Sequence, residues 1–146
     1  MMLRRILTAL AAALALVSCT DMSTYEQFVR TSNAPDGVYA FTMELSEDSS
    51  YDMVICTRDD AVAFSESALQ VLRLDLEWVA PSGKSWQETV YMRSGGQKGN
   101  AVTYREDSVP SETGEWKLYI KPSAVSGTFR GIGFICTTED GTRQTP

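Results

Sequence analysis

The clearest structural signal in the sequence is the segment Leu72-Arg73-Leu74-Asp75-Leu76-Glu77-Trp78. Apolar residues alternate with charged residues at every position of this segment. On an α-helix, each step of two residues turns by about 200°, so the apolar side chains would point to two opposite sides. On a β-strand they share one face. The segment therefore predicts a strand with one buried face and one charged face.

A tight turn follows this strand. The turn reads Ala80-Pro81-Ser82-Gly83, with proline at the second position and glycine at the fourth, which is the residue pattern of a type I turn. Residues Ser85–Met92 then alternate again between two faces. This order of strand, turn and strand predicts an antiparallel β-hairpin.

The rest of the chain carries the same period of two. The further predicted strands are Tyr39–Leu45, Tyr51–Thr57, Ala101–Arg105, Glu115–Lys121 and Thr128–Thr138. About seven strands with short polar connections predict an all-β fold, a single antiparallel β-sandwich of the Ig-like or jelly-roll-like kind. A helix is expected only around Ser23–Arg30 or in the connection Ala61–Ser67.

The N-terminal segment has the pattern of a cleaved export signal. Arg4 and Arg5 make a short basic start, and the twelve residues Ile6–Val17 that follow carry no charge. Twelve residues span roughly 18 Å as a helix, well short of a hydrocarbon core of about 30 Å, so the segment suits a signal peptide better than a permanent membrane helix. We therefore expect a signal peptide at 1–18, an N-terminal segment at 19–36, and the sandwich domain at 37–146.

The signal ends in Leu16-Val17-Ser18-Cys19, which resembles the lipobox of bacterial lipoproteins. The resemblance implies that the chain is cut just before Cys19, that the Cys19 thiol is lipidated, and that acyl chains tie the protein to the outer membrane. Two alternatives are an ordinary signal peptide that is cleaved near a cysteine and a buried N-terminal helix. Only one acidic residue, Asp21, follows Cys19 before Thr24, which favours the periplasmic side of the membrane over surface export.

The order of the downstream motifs is similar to that of the gliding-motility-associated lipoproteins of the H type. The motifs are Tyr51–Arg58, Pro81-Ser82-Gly83, Glu88-Thr89-Val90-Tyr91, Gly114-Glu115-Trp116 and Gly131-Ile132-Gly133-Phe134. Members of that family are outer-membrane lipoproteins linked to the gliding apparatus and its protein-secretion system. The resemblance implies a lipid-anchored protein that works through an envelope protein partner.

Two cysteines remain once Cys19 is assigned to the lipid. Cys56 and Cys136 each lie in a strand-like run, and an even number of thiols in an oxidising compartment invites a disulfide. The alternative is two separate buried thiols that pack as small apolar side chains. The sequence leaves both alternatives open.

Composition excludes several classes of function. Lys and Arg total 13 against 19 Asp and Glu, so the net charge is −6, and the chain contains no histidine. An acidic chain lacks the basic surface of a nucleic-acid-binding protein. Without imidazole there is no Ser-His-Asp or Cys-His nucleophile system and no histidine metal ligand. We therefore expect no catalytic residues, no cofactor, no metal and no nucleic-acid partner.

Aromatic residues are the remaining candidates for binding. Trp78 and Trp116 share their faces with aliphatic residues and are expected in the core, whereas Trp86, Tyr91 and Tyr104 are the candidates for exposed ligand contacts. The leading hypothesis is a non-catalytic, lipid-anchored sandwich that contacts an envelope protein, and a small-molecule ligand is not expected. The alternative hypothesis is a glycan-binding module.

Overall fold

The computed structural model describes residues 22–60, 71–93 and 100–139. The strands are β1 (Met22–Arg30), β2 (Tyr39–Leu45), β3 (Tyr51–Asp59), β4 (Val71–Val79), β5 (Ser85–Arg93), β6 (Asn100–Ser108), β7 (Gly114–Pro122) and β8 (Phe129–Glu139). Two single-turn 3₁₀ helices, Thr31–Asn33 and Pro35–Gly37, connect β1 to β2. The expected signal peptide at 1–18, Cys19 and the helix considered at 61–67 lie outside the described residues.

The strands form two antiparallel four-stranded sheets that pack face to face. Sheet A has the order β1-β8-β3-β6, and sheet B has the order β2-β7-β4-β5. Among the described strands, only β4 and β5 are consecutive neighbours in one sheet, and every other connection crosses between the sheets. Eight strands arranged in this way form a jelly roll. The predicted β-sandwich is therefore confirmed, in its jelly-roll form and with one strand more than expected.

The additional strand is β1, where the sequence suggested a helix around Ser23–Arg30. That expectation is wrong, because β1 pairs with β8 over its whole length, from Met22 opposite Glu139 to Arg30 opposite Gly131. As an edge strand, β1 buries few side chains, so its apolar alternation is weak. The sandwich thus includes a strand that lies before the boundary expected at residue 37.

The alternating segment behaves as the sequence indicates. Leu72, Leu74, Leu76 and Trp78 of β4 are all buried, and the charged residues between them face outward. The four buried side chains of β4 belong to a core to which both sheets contribute. The largest fully buried side chains of this core are Tyr39, Phe41, Phe134, Ile55, Leu74, Leu76, Leu118, Ile120 and Ile132. Burial of this contiguous apolar surface is the main term that stabilises the sandwich.

The β4–β5 hairpin also forms as predicted. The Gly83 amide donates a hydrogen bond to the Ala80 carbonyl oxygen at 2.9 Å, which closes the turn. Gly83 has φ of +91°, a conformation that favours glycine because other residues carry a Cβ. The turn packs against the start of β7, where a Cβ on Gly114 would lie 3.0 Å from Pro81 Cγ.

The structure decides the open question about the two cysteines. Met53 stands opposite Cys136 and Cys56 stands opposite Gly133 in the β3–β8 pairing, so the two thiols point to opposite faces of sheet A. Both are free: Cys136 is buried on the core face, and Cys56 is half-buried on the outer face. The disulfide alternative is therefore wrong, because no rotamer joins two side chains across a sheet.

Burial changes the chemistry of both thiols. Burial, helped by the negative charge of Asp52, raises the pKa of Cys136 from 9.0 to about 12. Burial, helped by the negative charge of Glu26, also raises the pKa of Cys56. Both side chains are therefore neutral thiols at neutral pH, and neither has the lowered pKa of a reactive cysteine.

Candidate functional site

A cleft opens between β5 and β6, which are each an edge strand of one sheet and do not pair with each other. We call it the aromatic cleft. Its volume is about 330 Å³, and it is lined by Leu45, Met53, Trp78, Trp86, Gln87, Glu88, Arg105, Ser108, Val109, Pro110, Ser111 and Trp116. It lies at the end of the sandwich that also holds the β4–β5 turn and the β6–β7 connection.

Stacked aromatic rings form the wall of the cleft. The rings of Trp86 and Trp116 are nearly parallel, with centroids 5.6 Å apart and an interplanar angle of 17°. Trp78 meets Trp116 edge to face at 6.1 Å, and the Trp78 ring also stacks on Tyr104 at 6.5 Å. Trp86 is 43% exposed, whereas Trp78 and Trp116 are buried. The arrangement is therefore a row of rings whose outermost member, Trp86, faces solvent.

Hydrogen bonds fix the two inner indoles. The Trp78 Nε1–H group donates to the Tyr104 hydroxyl at 3.0 Å, and the Trp116 Nε1–H group donates to the Glu112 carbonyl oxygen at 3.0 Å. Within the described part of the chain, the Trp86 indole N–H donates no hydrogen bond. Trp86 is thus held by stacking on Trp116, and its N–H group has no hydrogen-bond partner among the described residues.

A charged pair crosses the cleft. Arg105 Nη2 of β6 donates to both carboxylate oxygens of Glu88 of β5, at 3.0 and 3.1 Å. The Arg105 guanidinium carbon lies 5.1 Å from the centre of the Tyr104 ring, within range of a cation–π contact. Both members of the pair are partly exposed, so water screens the pair and reduces its contribution to stability.

An irregularity in β6 brings Arg105 to the cleft. Successive side chains of a regular strand point to opposite faces. Because Tyr104 packs against the core, a regular β6 would direct its neighbour Arg105 away from the core. The β3–β6 register shifts around Met53, which places Arg105 directly opposite the inward-facing Met53. Bulges of this kind redirect side chains, and this one places the two consecutive residues Tyr104 and Arg105 beside the same cleft.

The three aromatic residues that the sequence suggested as ligand contacts lie in different parts of the structure. Trp86 lines the aromatic cleft, and Tyr104 lies behind the cleft wall, where it supports Trp78. Tyr91 is 63% exposed on the opposite face of β5, paired with Arg73, and belongs to no shared site with the other two.

Sequence reasoning missed Glu88, Arg105 and Trp116 as parts of the site. Glu88 and Arg105 lie 17 positions apart on strands of different sheets, so no local pattern could join them. Trp116 was expected only in the core, and it is buried there, but its ring also supports Trp86. The cleft therefore depends on the packing of the two sheets, which the period of two does not reveal.

Two negative observations apply to residues 22–60, 71–93 and 100–139. No helix among them is long and apolar enough to cross a membrane. Among these same residues, no group of three or more Cys, Asp and Glu side chains is placed to hold a metal ion.

Comparisons with known proteins give little further information. No protein-family model matches the chain, and no curated protein matches it. Among solved structures, the chain is similar to one in the structure of the Gx strain of infectious bursal disease virus, with 14% sequence identity and a TM-score of 0.42. The match covers 84% of this chain and 32% of the viral chain, so this chain spans about a third of that length. A likeness this distant carries no argument about function.

Proposed function

We propose that the protein is a non-catalytic lipoprotein of the outer membrane that is anchored through Cys19 and acts by contact with an envelope protein. Support comes from the resemblance of Leu16-Val17-Ser18-Cys19 to a lipobox. The gliding or protein-secretion assembly is the setting that the second family resemblance implies.

The lipobox resemblance carries this proposal, and the position of β1 determines how close the sandwich would lie to such an anchor. The strand begins at Met22, three residues after Cys19, and is paired with β8 along its whole length. Three residues of fully extended chain span at most about 11 Å. A lipid on Cys19 would therefore hold sheet A itself at the membrane surface, rather than a domain on a long tether.

The outer face of sheet A carries an apolar surface that suits contact with a protein partner. Phe28 is 45% exposed there, and Val54, Cys56 and Ile135 are half-buried beside it. Val54 stands directly opposite Ile135, and Cys56 is opposite Gly133, which Phe28 also faces. We call these four residues the outer patch. Contiguous apolar surface that stays partly exposed is a feature of protein–protein contact sites.

The test is cross-linking in the native cells. We expect a cross-linked partner of the wild-type protein to be lost from Ile135→Glu, because a charge in the outer patch opposes burial of its apolar surface. The matched control is Tyr91→Glu, which places the same charge at a more exposed aromatic position on sheet B. Recovery of the same cross-linked product from both variants would remove the outer patch as the partner surface.

A further inference from the structure

We propose that the aromatic cleft binds a neutral saccharide, with one sugar ring stacked on Trp86. The site is distinct from the outer patch, which lies on the other face of sheet A. Saccharide binding therefore goes beyond the proposed contact with an envelope protein and does not depend on it.

Trp86 supplies a rigid platform for a sugar ring. One side of its indole is backed by the buried Trp116 ring at 5.6 Å, while 43% of the residue remains exposed. The face of an aromatic ring carries partial negative charge, which attracts the partly positive C–H groups on the flat side of a pyranose. Because stacking on Trp116 already fixes the Trp86 ring, a ligand has little side-chain entropy to remove on binding.

The polar groups around this platform match sugar hydroxyls. Glu88 accepts hydrogen bonds, and Arg105 uses only Nη2 in its pair with Glu88, while its other N–H groups bond to no other described residue. Ser108 lines the same cleft and makes no side-chain hydrogen bond with other described residues. A hydroxyl both donates and accepts, so one sugar ring can use an acidic, a basic and a hydroxyl partner together. The cleft volume of about 330 Å³ is at the lower end of the range for small-ligand sites.

The charge of the site favours a neutral ligand. Glu88 and Arg105 neutralise each other across the cleft, and the Glu112 carboxylate lies close by, where it accepts hydrogen bonds from Ser82 at the β4–β5 turn. The chain as a whole carries a net charge of −6. The local and long-range potentials therefore give no attraction for a phosphate or a sulfated sugar.

The Glu88–Arg105 pair also disfavours an extended peptide as the occupant. A peptide that adds to a sheet lies along an unpaired edge and uses its backbone hydrogen bonds. The ion pair connects the edges of β5 and β6 that no other described strand covers, across the path that such a peptide would take. A sugar ring stacked on Trp86 needs no backbone edge and can leave the pair in place.

Calorimetric titration of the full chain tests the proposal. The protein is kept in a mild detergent, and the measurement does not require the lipid on Cys19. The probes are cellotetraose, mannotetraose and the tetramer of N-acetylglucosamine. We expect at least one to bind and Trp86→Ala to weaken that binding by about tenfold or more, the loss expected for a central aromatic contact. Tyr91→Ala, on the opposite face of β5, is the matched control and should bind as the wild type does.

A second variant keeps the test valid if Trp86→Ala unfolds the protein. Glu88→Gln preserves the shape of the side chain and removes the charge, and we expect weaker saccharide binding with an unchanged unfolding midpoint. Absence of binding by all three saccharides at about millimolar concentration, near the weak end of specific affinities, would overturn the proposal. Binding of random heptapeptides that requires Trp86, without saccharide binding, would instead assign the cleft to a protein segment.

Discussion

At the scale of single residues, the two cysteines show how strongly position in a sheet determines chemistry. Cys136 lies on the core face of β8, and Cys56 lies on the outer face of β3. Their sequence environments look alike, since each follows a run of apolar residues. Only the register of β3 against β8 separates them, and that register is a tertiary property that the sequence alone does not show.

The raised pKa of Cys136 predicts a loss of stability at alkaline pH. Because the folded pKa is about 12 and the ordinary value is 9.0, the unfolded chain releases this proton first as the pH rises above 9. Deprotonation then favours the unfolded state, so the free energy of unfolding falls until the pH reaches the folded pKa. Cys136→Ala lacks this contribution, so its stability falls less steeply over the same interval.

The measurement is urea unfolding of the wild type and Cys136→Ala at about pH 8 and about pH 10.5, on either side of the ordinary thiol pKa. We expect the stability difference between the two proteins to be smaller at the higher pH. A difference that stays constant between the two pH values would show that the Cys136 thiol titrates normally in the folded protein.

At the scale of elements, the strands that the sequence predicted best are those with one fully buried face. The alternation in β4 is visible because Leu72, Leu74 and Leu76 are all buried. Strand β1 was not predicted as a strand, because it is an edge strand with few buried side chains. The sequence also could not predict the bulge that turns Arg105 toward the cleft, because a shift of register leaves no periodic pattern.

The docking of β1 depends on the absence of a side chain at Gly131. A Cβ at this position would collide with the Val29 carbonyl oxygen and would lie 2.7 Å from Phe28 Cζ. Because the obstruction includes backbone, it cannot be relieved by a side-chain rotation alone. We expect Gly131→Ala to lower the free energy of unfolding by about 1–3 kcal/mol, the usual cost of overpacking.

Gly127→Ala is the matched control for this substitution. A Cβ at Gly127 meets no atom within 4 Å, so we expect a change within about 0.5 kcal/mol. Urea unfolding of both variants measures the difference. Equal midpoints for the two variants would show that β1 does not pack against β8 as described.

At the scale of the whole molecule, the start of β1 at Met22 and the aromatic cleft lie at the same end of the sandwich. Tyr51 of β3 stands opposite Thr138 of β8 at this end, and its hydroxyl accepts a hydrogen bond from the Ser46 amide at 2.9 Å, just beyond β2. The end of β2 in turn pairs with the start of β7 beside the β4–β5 turn. A lipid close to Met22 would therefore place the aromatic cleft near the membrane and the opposite loops away from it.

The anchor is the central claim, and the mass of the mature N-terminus tests it most directly. The full sequence is expressed in a bacterium that processes lipoproteins, and the membrane-extracted protein is analysed by intact-mass and peptide mass spectrometry. We predict a chain that begins at Cys19 and carries acyl chains on that residue. A mature chain that begins at another residue, or an unmodified Cys19, would contradict the account.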